Sequence, residues 1–257
     1  MRLLIHREKK EVVDGVNRIV SKARTYAVND TSKDVQTLLG KVSAKDLRMP
    51  SGSIIKTDQN KEFIVLDALF IDKHKRLRKF AQTIPLKDIG AIIAETGINK
   101  NSVVVEGGVG SGALASALAN VAKKVISYEI RDESAKMSES NFKFLEIENV
   151  EIKRKSLYDG IDESDVDVVV LDVPEPHKIV EHAANALAVG GFLVAYCPHI
   201  SQVAKFLAEV DKCESLIQQK TVELIERLWV VDELRSRPKN SPIGHSAFLV
   251  FVRKIRL

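Results

Sequence analysis

The chain has 257 residues, 45% of them hydrophobic, and a formal net charge of +4, enough apolar material for one large core or a medium and a small one. No run approaches the roughly 18 uninterrupted apolar residues of a membrane span, and the N-terminus, MRLLIHREKKEVVDG, turns charged before a signal-like apolar core can form. Two cysteines, Cys197 and Cys213, are too few for a disulfide framework or a metal site, so the expectation is a cytoplasmic protein that needs no metal and contacts no membrane.

The charge is unevenly spread. Residues 1–80 carry 18 Lys/Arg against 10 Asp/Glu, residues 81–226 carry 14 against 23, and residues 227–257 carry 7 against 2. Basic ends flanking an acidic middle suggest a polyanion partner that touches the ends.

In chain order, the first segments are short β-favouring pieces, RTYAVN, GSIIKT and EFIVLDALF, separated by polar residues. They predict a small all-β module over residues 1–80. The basic run DKHKRLRKFAQ (72–82) then reads as a linker or exposed edge. Character changes near Asp88, where DIGAIIAETG predicts a helix with Asp88 as N-cap and Gly97 near its end. Strand and helix then alternate: VVVE (103–106), helix ALASALANVA, VISYE (125–129), helix ESAKMSESNFKFLEI, VEIKRK, DVVVLD (167–172), helix HKIVEHAANALA, strand GGFLVAYC and a helix around SQVAKFLAEV. Such alternation predicts a mostly parallel sheet covered on both faces, residues 81–257 forming the second domain. A strand near TVELIERLWVV and the segment GHSAFLVFVRK, joined by DELRSRPKNSPIG, predict an antiparallel hairpin on its edge.

The segment EGGVGSGA places Gly108, Gly110 and Gly112 between a strand and a helix. A ligand lying close over such a turn needs positions without Cβ, both for positive φ and for backbone approach. Gly108, Gly110 and Ala113 also satisfy the dinucleotide fingerprint GxGxxG/A, so the turn alone leaves the ligand open. Its flanks narrow the choice. Glu106 ends the first strand, where it can hold a cationic amine but repels a pyrophosphate; Glu129, 23 residues on, can accept from both hydroxyls of a ribose. An acid at each strand end suits S-adenosylmethionine, which is cationic and carries no phosphate.

A second constellation is LDVPEPH, Leu171–His177, at the carboxyl end of the fourth strand. Ligands of open α/β sheets bind at that edge. Pro174 and Pro176 stiffen a loop that presents Asp172, an arrangement suited to a general base or an electrostatic partner. Tyr196, ending the next strand, is a candidate wall of the substrate pocket. His177, His182 and His199 lack metal-ligand spacing and are expected at surface or helix positions, and Trp229 is expected in a core or an interface.

Taken together, EGGVGSGAL, SYEIR, DVPEP and the closing RPKNSPIGHS resemble the archaeal tRNA adenine-N1 methyltransferases that modify position 58, and in some members 57, of the T-loop. The resemblance is clear over about residues 80–257 and looser over 1–80. It implies a Rossmann-like class I S-adenosylmethionine methyltransferase sheet with a small N-terminal β domain that contacts RNA, and a homotetramer. It puts Gly108, Gly110, Ser111 and Gly112 along the methionine and ribose of the cofactor, Glu129 on the ribose and Ile130 beside the adenine. Asp172 is implied as the central catalytic residue. Two positions depart from the family's pattern. QTIPLKD has Pro85 where relatives carry an aromatic residue or His, and RKSLYDG offers Ser156, next to Leu157, where relatives carry an acid for the adenine amine, leaving either Ser156 or Asp159 to meet it. Methyl transfer to another substrate, a nicotinamide-dependent oxidoreductase, and an RNA-binding homologue without turnover stay open as rival readings.

Overall fold

Alternation of apolar and polar residues builds the N-terminal sheet. The computed structural model describes residues 1–13, 16–80, 82–232, 235–240 and 244–257, which divide into two units, Met1–Arg76 and Leu77–Leu257. In the first, β1 (Arg2–His6), β2 (Lys9–Val13), β3 (Val16–Ser21), β4 (Arg24–Val28), β5 (Val35–Thr37), β6 (Gly40–Val42), β7 (Ile54–Lys56) and β8 (Glu62–Asp67) precede a short helix, α1 (Phe70–His74). Four of the strands form an antiparallel sheet in the order β4-β1-β8-β7, and β2–β3 and β5–β6 are separate hairpins. In β8 only Phe63 and Val65 of EFIVLD are buried, the period-two signature of a sheet with one face on a core. Leu4, Val28, Val42, Leu47 and Ile55 complete that core. The expected strand EFIVLDALF stops at Asp67, and α1 begins inside what the sequence suggested was its end and the following linker.

The second unit follows the βα alternation. It runs α2 (Leu86–Thr96), β9 (Val103–Gly107), α3 (Ala113–Ala119), β10 (Lys124–Tyr128), α4 (Asp132–Leu145), β11 (Val150–Lys153), β12 (Val166–Leu171), α5 (Val180–Ala186), β13 (Leu187–Cys197), α6 (Ile200–Val210), β14 (Leu216–Glu223), β15 (Trp229–Val231), β16 (Ser236–Pro238) and β17 (Phe248–Lys254). The seven-stranded sheet has the order β11-β10-β9-β12-β13-β17-β14. Its first five strands are parallel, and β17 runs antiparallel to both neighbours. Both faces are buried, as the apolar strands require. Val105, Ile126, Val169, Leu171 and Ala195 pack with α5 and α6, while Val104, Val125, Val170 and Val194 pack with α2, α3 and Phe142 of α4. Every residue of the alanine-rich α3 is buried, because small side chains let it lie close on the sheet.

Several boundaries differ from the sequence reading. Pro85 and not Asp88 is the N-cap of α2: the Pro85 carbonyl accepts from the amides of Asp88 and Ile89, each at 3.0 Å. Asp88 sits inside the first turn, fully buried, where Lys87 Nζ (2.7 Å) and Ser246 Oγ (2.8 Å) donate to its carboxylate and Lys87 Nζ also reaches Ser246 Oγ at 2.6 Å. Gly97 does close the helix, in the left-handed conformation at φ 69°. The expected strand around TVELIERLWVV is two strands, β14 and β15. β17 lies between β13 and β14, so the edge is β14, and β15–β16 is a separate hairpin that leaves Trp229 54% exposed instead of in a core. Residues 233–234 and 241–243 of the DELRSRPKNSPIG connection lie outside the described residues.

Candidate active site

A cleft opens where the strand order reverses. β9 has β10 on one side and β12 on the other, and the chain runs outward through β10 and β11 before returning to β12. Loops leaving the carboxyl ends of β9 and β12 therefore diverge, the usual ligand position of an open α/β sheet. A cavity of about 350 Å³ lies there. Of the residues singled out in the sequence, Gly108, Glu129, Ile130, Ser156, Leu157 and Asp172 line it.

The glycine turn earns its composition position by position. Gly108, Gly110 and Gly112 have φ of 88°, 51° and 75°, the left-handed region that side chains disfavour. A Cβ on Gly108 would stand 2.4 Å from the Asp172 carbonyl oxygen, and one on Gly112 would stand 2.6 Å from the Phe142 ring. These two glycines answer to packing. Gly110 differs: a Cβ there meets nothing within 4 Å, so its bareness keeps open space above the turn. The Asp172 amide donates to Gly107 O at 2.9 Å, which joins the turn to the DVPEP loop.

Beneath the turn lies Glu106, 1% exposed. The Ser127 hydroxyl donates to its Oε2, while Oε1 has no hydrogen-bond partner among the described residues. Burial, with the charges of Asp172 and Glu129 adding to it against the Ser127 bond, pushes this carboxyl up to about 8. Ser111 Oγ is a second buried polar atom without a partner. Both atoms belong to residues that flank the glycine turn, and among the described residues neither is satisfied, so a polar ligand there can complete the bonding. Ala113 opens α3 and is itself buried.

Glu129 follows β10 and is 5% exposed. It accepts from the Gly110 amide at 3.2 Å and the Arg131 amide at 2.9 Å, and Arg131 Nε stands 3.4 Å away. Asp172 is exposed at the cavity, and the protein around it costs its carboxyl some solvation and pushes it up to about 6. Its loop is fastened from two directions: Gln202 Nε2 donates to Pro174 O at 3.0 Å, and the Glu175 amide donates to the Tyr158 hydroxyl at 3.1 Å. Rigid presentation of one carboxylate is what the paired prolines suggested.

Other candidates sit differently. Ser156 lines the cavity, yet its hydroxyl already accepts from the Tyr158 amide at 3.1 Å and caps the short turn Leu157–Asp159; Asp159 is not in the wall. Tyr196 is 8% exposed and does not line this cavity. Burial, helped by the charges of Asp88 and Asp172, pushes its hydroxyl up to about 12, so it stays protonated and can donate. Cys197 is a buried free thiol and Cys213 is also free. His199 caps α6. Among the described residues no group of three or more His, Cys, Asp or Glu could hold a metal, and no helix is long and apolar enough to cross a membrane.

Sequence reasoning missed Tyr128, Arg131, Lys155, Tyr158 and Val173, which with the loop residue Pro174 complete the cavity wall. It also missed Asn141, 3% exposed, whose Nδ2 donates to Ser111 O at 2.8 Å and Arg78 O at 2.9 Å while Oδ1 accepts from the Arg78 amide at 3.1 Å. The available signal was a polar residue on the buried stripe of α4, beside Phe142 and three residues after Ser138.

Residues 74–242 match the family described as tRNA methyltransferase complex GCD14 subunit. The chain is 33% identical to the tRNA (adenine(57)-N(1)/adenine(58)-N(1))-methyltransferase TrmI of Methanocaldococcus jannaschii, over 90% of this chain and 92% of that one. Among solved structures it resembles a SAM-dependent O-methyltransferase from Thermotoga maritima, with a TM-score of 0.84 and 28% identity over 100% of this chain and 93% of that one. It also shares its fold with the tRNA (m1A58) methyltransferase TrmI of Aquifex aeolicus, at a TM-score of 0.79 and 24% identity over 100% of this chain and 98% of that one.

The two classes of glycine separate in a stability measurement. Gly108→Ala forces the Asp172 backbone to move and strains φ, and is expected to cost about 3 kcal/mol in urea unfolding. Gly110→Ala, strained in φ alone, is expected to cost about 1 kcal/mol. Equal losses would contradict the packing role given to Gly108.

Proposed function

The chain belongs to the tRNA methyltransferase family described as the GCD14 subunit of the methyltransferase complex, and on that premise we propose that it transfers a methyl group from S-adenosylmethionine to N1 of adenine in the T-loop of tRNA, at position 58. The observation that carries the reading is the set of acids around one glycine turn: Glu106 beneath it with a free Oε1, Glu129 at its side, and Asp172 across the cavity. A dinucleotide would bring its pyrophosphate against these carboxylates; a cationic cofactor without phosphate would not. This favours a methyltransferase over the nicotinamide reading.

The residues fit that cofactor. Glu106 Oε1 and Ser111 Oγ offer two unfilled polar positions, the open side of Gly110 leaves room over the turn, and Glu129 can exchange its Gly110 amide for ribose hydroxyls. We assign Gly108, Gly112 and Ala113 to the shape of the turn, and Ile130, Ser156 and Leu157 to the adenine side. When bound, S-adenosylmethionine supplies a methyl group on a positive sulfur, an electrophile that needs no metal.

Adenine N1 is unprotonated at neutral pH, so the reaction needs no strong base to begin, but the methylated ring is cationic. Asp172 is the group we assign to that charge. Its carboxylate accepts from the exocyclic amine and steadies the positive ring as it forms. We assign the buried, protonated Tyr196 to the substrate wall.

The N1 edge is paired in a folded T-loop, so the base must be extruded at a cost of a few kcal/mol. Phosphate contacts from the basic chain ends would offset this, and we assign residues 1–80 to RNA contact and 81–257 to methyl transfer. We further propose a homotetramer, for which the exposed Leu228, Trp229 and Val231 supply apolar surface to bury, working in the cytoplasm beside its substrate.

Incubation with labelled S-adenosylmethionine and an unmodified tRNA transcript, followed by nucleoside mapping, is expected to place label in 1-methyladenosine of the T-loop. Label in another base or on a ribose oxygen would overturn the proposal. The ionisation of Asp172 gives a second expectation. Its carboxyl titrates at about 6, and only the ionised form accepts from the amine, so the single-turnover rate should be full above pH 7 and fall about tenfold per unit below 6. A rate flat from pH 5 to 8 would remove Asp172 from this role.

A further inference from the structure

The segment that follows the buried Leu77, here called the arch, comes to the surface at once. Arg78, Lys79 and Phe80 are exposed on it, and Phe80 is 73% exposed, more than the other partly bare aromatics, Tyr158 at 36% and Trp229 at 54%. Most of that ring is therefore left free to meet a partner. The two cations are also unspent. Neither Arg78 nor Lys79 has a carboxylate partner among the described residues, whereas Arg154, Lys153, Lys155, Lys178 and Lys212 in the same unit each pair with an acid. Lys79 Nζ reaches only Thr83 Oγ1, at 3.2 Å.

The arch is tied to the cleft by a single side chain. Asn141 holds the backbone of Arg78 through both its amide and its carbonyl, and the same Nδ2 holds Ser111 O in the glycine turn. The clamp fixes the Arg78 backbone, where the segment begins, to that turn. Cation, cation and ring in sequence match what single-stranded RNA offers, phosphates and an unstacked base.

We propose that Arg78, Lys79 and Phe80 form an RNA-docking arch beside the cofactor cleft, Phe80 stacking on a base unstacked from the T-loop and the two cations holding its flanking phosphates. The proposal rests on the tRNA reading above and adds to it. Extrusion of the target base breaks stacking in the loop, and a bare ring two residues from the clamped Arg78 replaces part of it.

The test is tRNA binding and methyl transfer by the full chain, with cofactor affinity and oligomeric state measured on each variant. Phe80→Ala is expected to weaken binding of an unmodified tRNA transcript about 5- to 150-fold, with a matching rise in the tRNA KM. Phe80→Trp, which keeps the ring, should restore binding to within a few-fold of the parent. Arg78→Ala with Lys79→Ala should flatten the slope of log K against log salt by about 1.4. S-adenosylmethionine affinity should be unchanged in all three, which also reports that they fold. Unchanged tRNA affinity in Phe80→Ala, or an unchanged salt slope in the double variant, would overturn the proposal while leaving the tRNA reading standing. A shift in oligomeric state without loss of tRNA affinity would give the ring to a contact between copies, and would overturn it too. If the parent chain neither binds nor methylates tRNA, the reading beneath falls and the arch falls with it.

Discussion

The site depends on how closely the end of β12 approaches the end of β9. The Asp172 amide donates to Gly107 O at 2.9 Å, and the Asp172 carbonyl lies where a Cβ of Gly108 would be. Any side chain at 108 would push the two strand ends apart. Because there is none, the carboxylate that follows β12 stands beside the turn that follows β9, and one cavity holds both. The sheet supplies the rest: the strand order reverses at β9, so neighbouring loops part company where a ligand needs room.

That closeness has an electrostatic consequence. Glu106, Glu129 and Asp172 gather near the same turn, and the charges of the other two help hold Glu106 neutral near pH 7. Among the described residues Glu129 has Arg131 beside it, and Lys155 is the other cation in the cavity wall. A cleft with this balance accepts positive charge readily and negative charge poorly. On the reading offered here, the cofactor meets Glu106 and Glu129 on one side of the cavity and the developing adenine cation meets Asp172 on the other. The tied DVPEP loop keeps those sides apart: Gln202 and Tyr158 hold it, and Pro174 and Pro176 limit its backbone.

Much of this was legible in the sequence, because it rests on local rules. Branched apolar runs followed by helical periodicity mark βα units, and glycines after a strand mark a turn of positive φ. What could not be read depends on contacts between distant residues. Asp88 looked like a cap because it opens an apolar helical pattern, yet Pro85 takes that role and Ser246, far along the chain, claims the carboxylate. Asn141 drew no notice in the sequence, because its role lies in contacts with Arg78 and Ser111, both distant along the chain. Trp229 was expected in a core or an interface; its short hairpin lies outside the main sheet and leaves it out of the core, half exposed. The glycines misled in a subtler way. They look equivalent in EGGVGSG, but Gly108 and Gly112 are set by neighbouring protein atoms and Gly110 by open space.

The central claim is that Asp172 acts through the exocyclic amine of the target adenine. The most direct measurement crosses two deletions: Asp172→Ala in the protein, and purine in place of adenine at the target position of the tRNA, which removes the amine. Single-turnover rates for the four combinations give the coupling between the two groups. The account predicts that the Asp172→Ala penalty, large on adenine, shrinks at least tenfold on purine, because the bond it would break is already absent. Equal penalties on the two substrates would show that the carboxylate does not act through that amine, and would contradict the account.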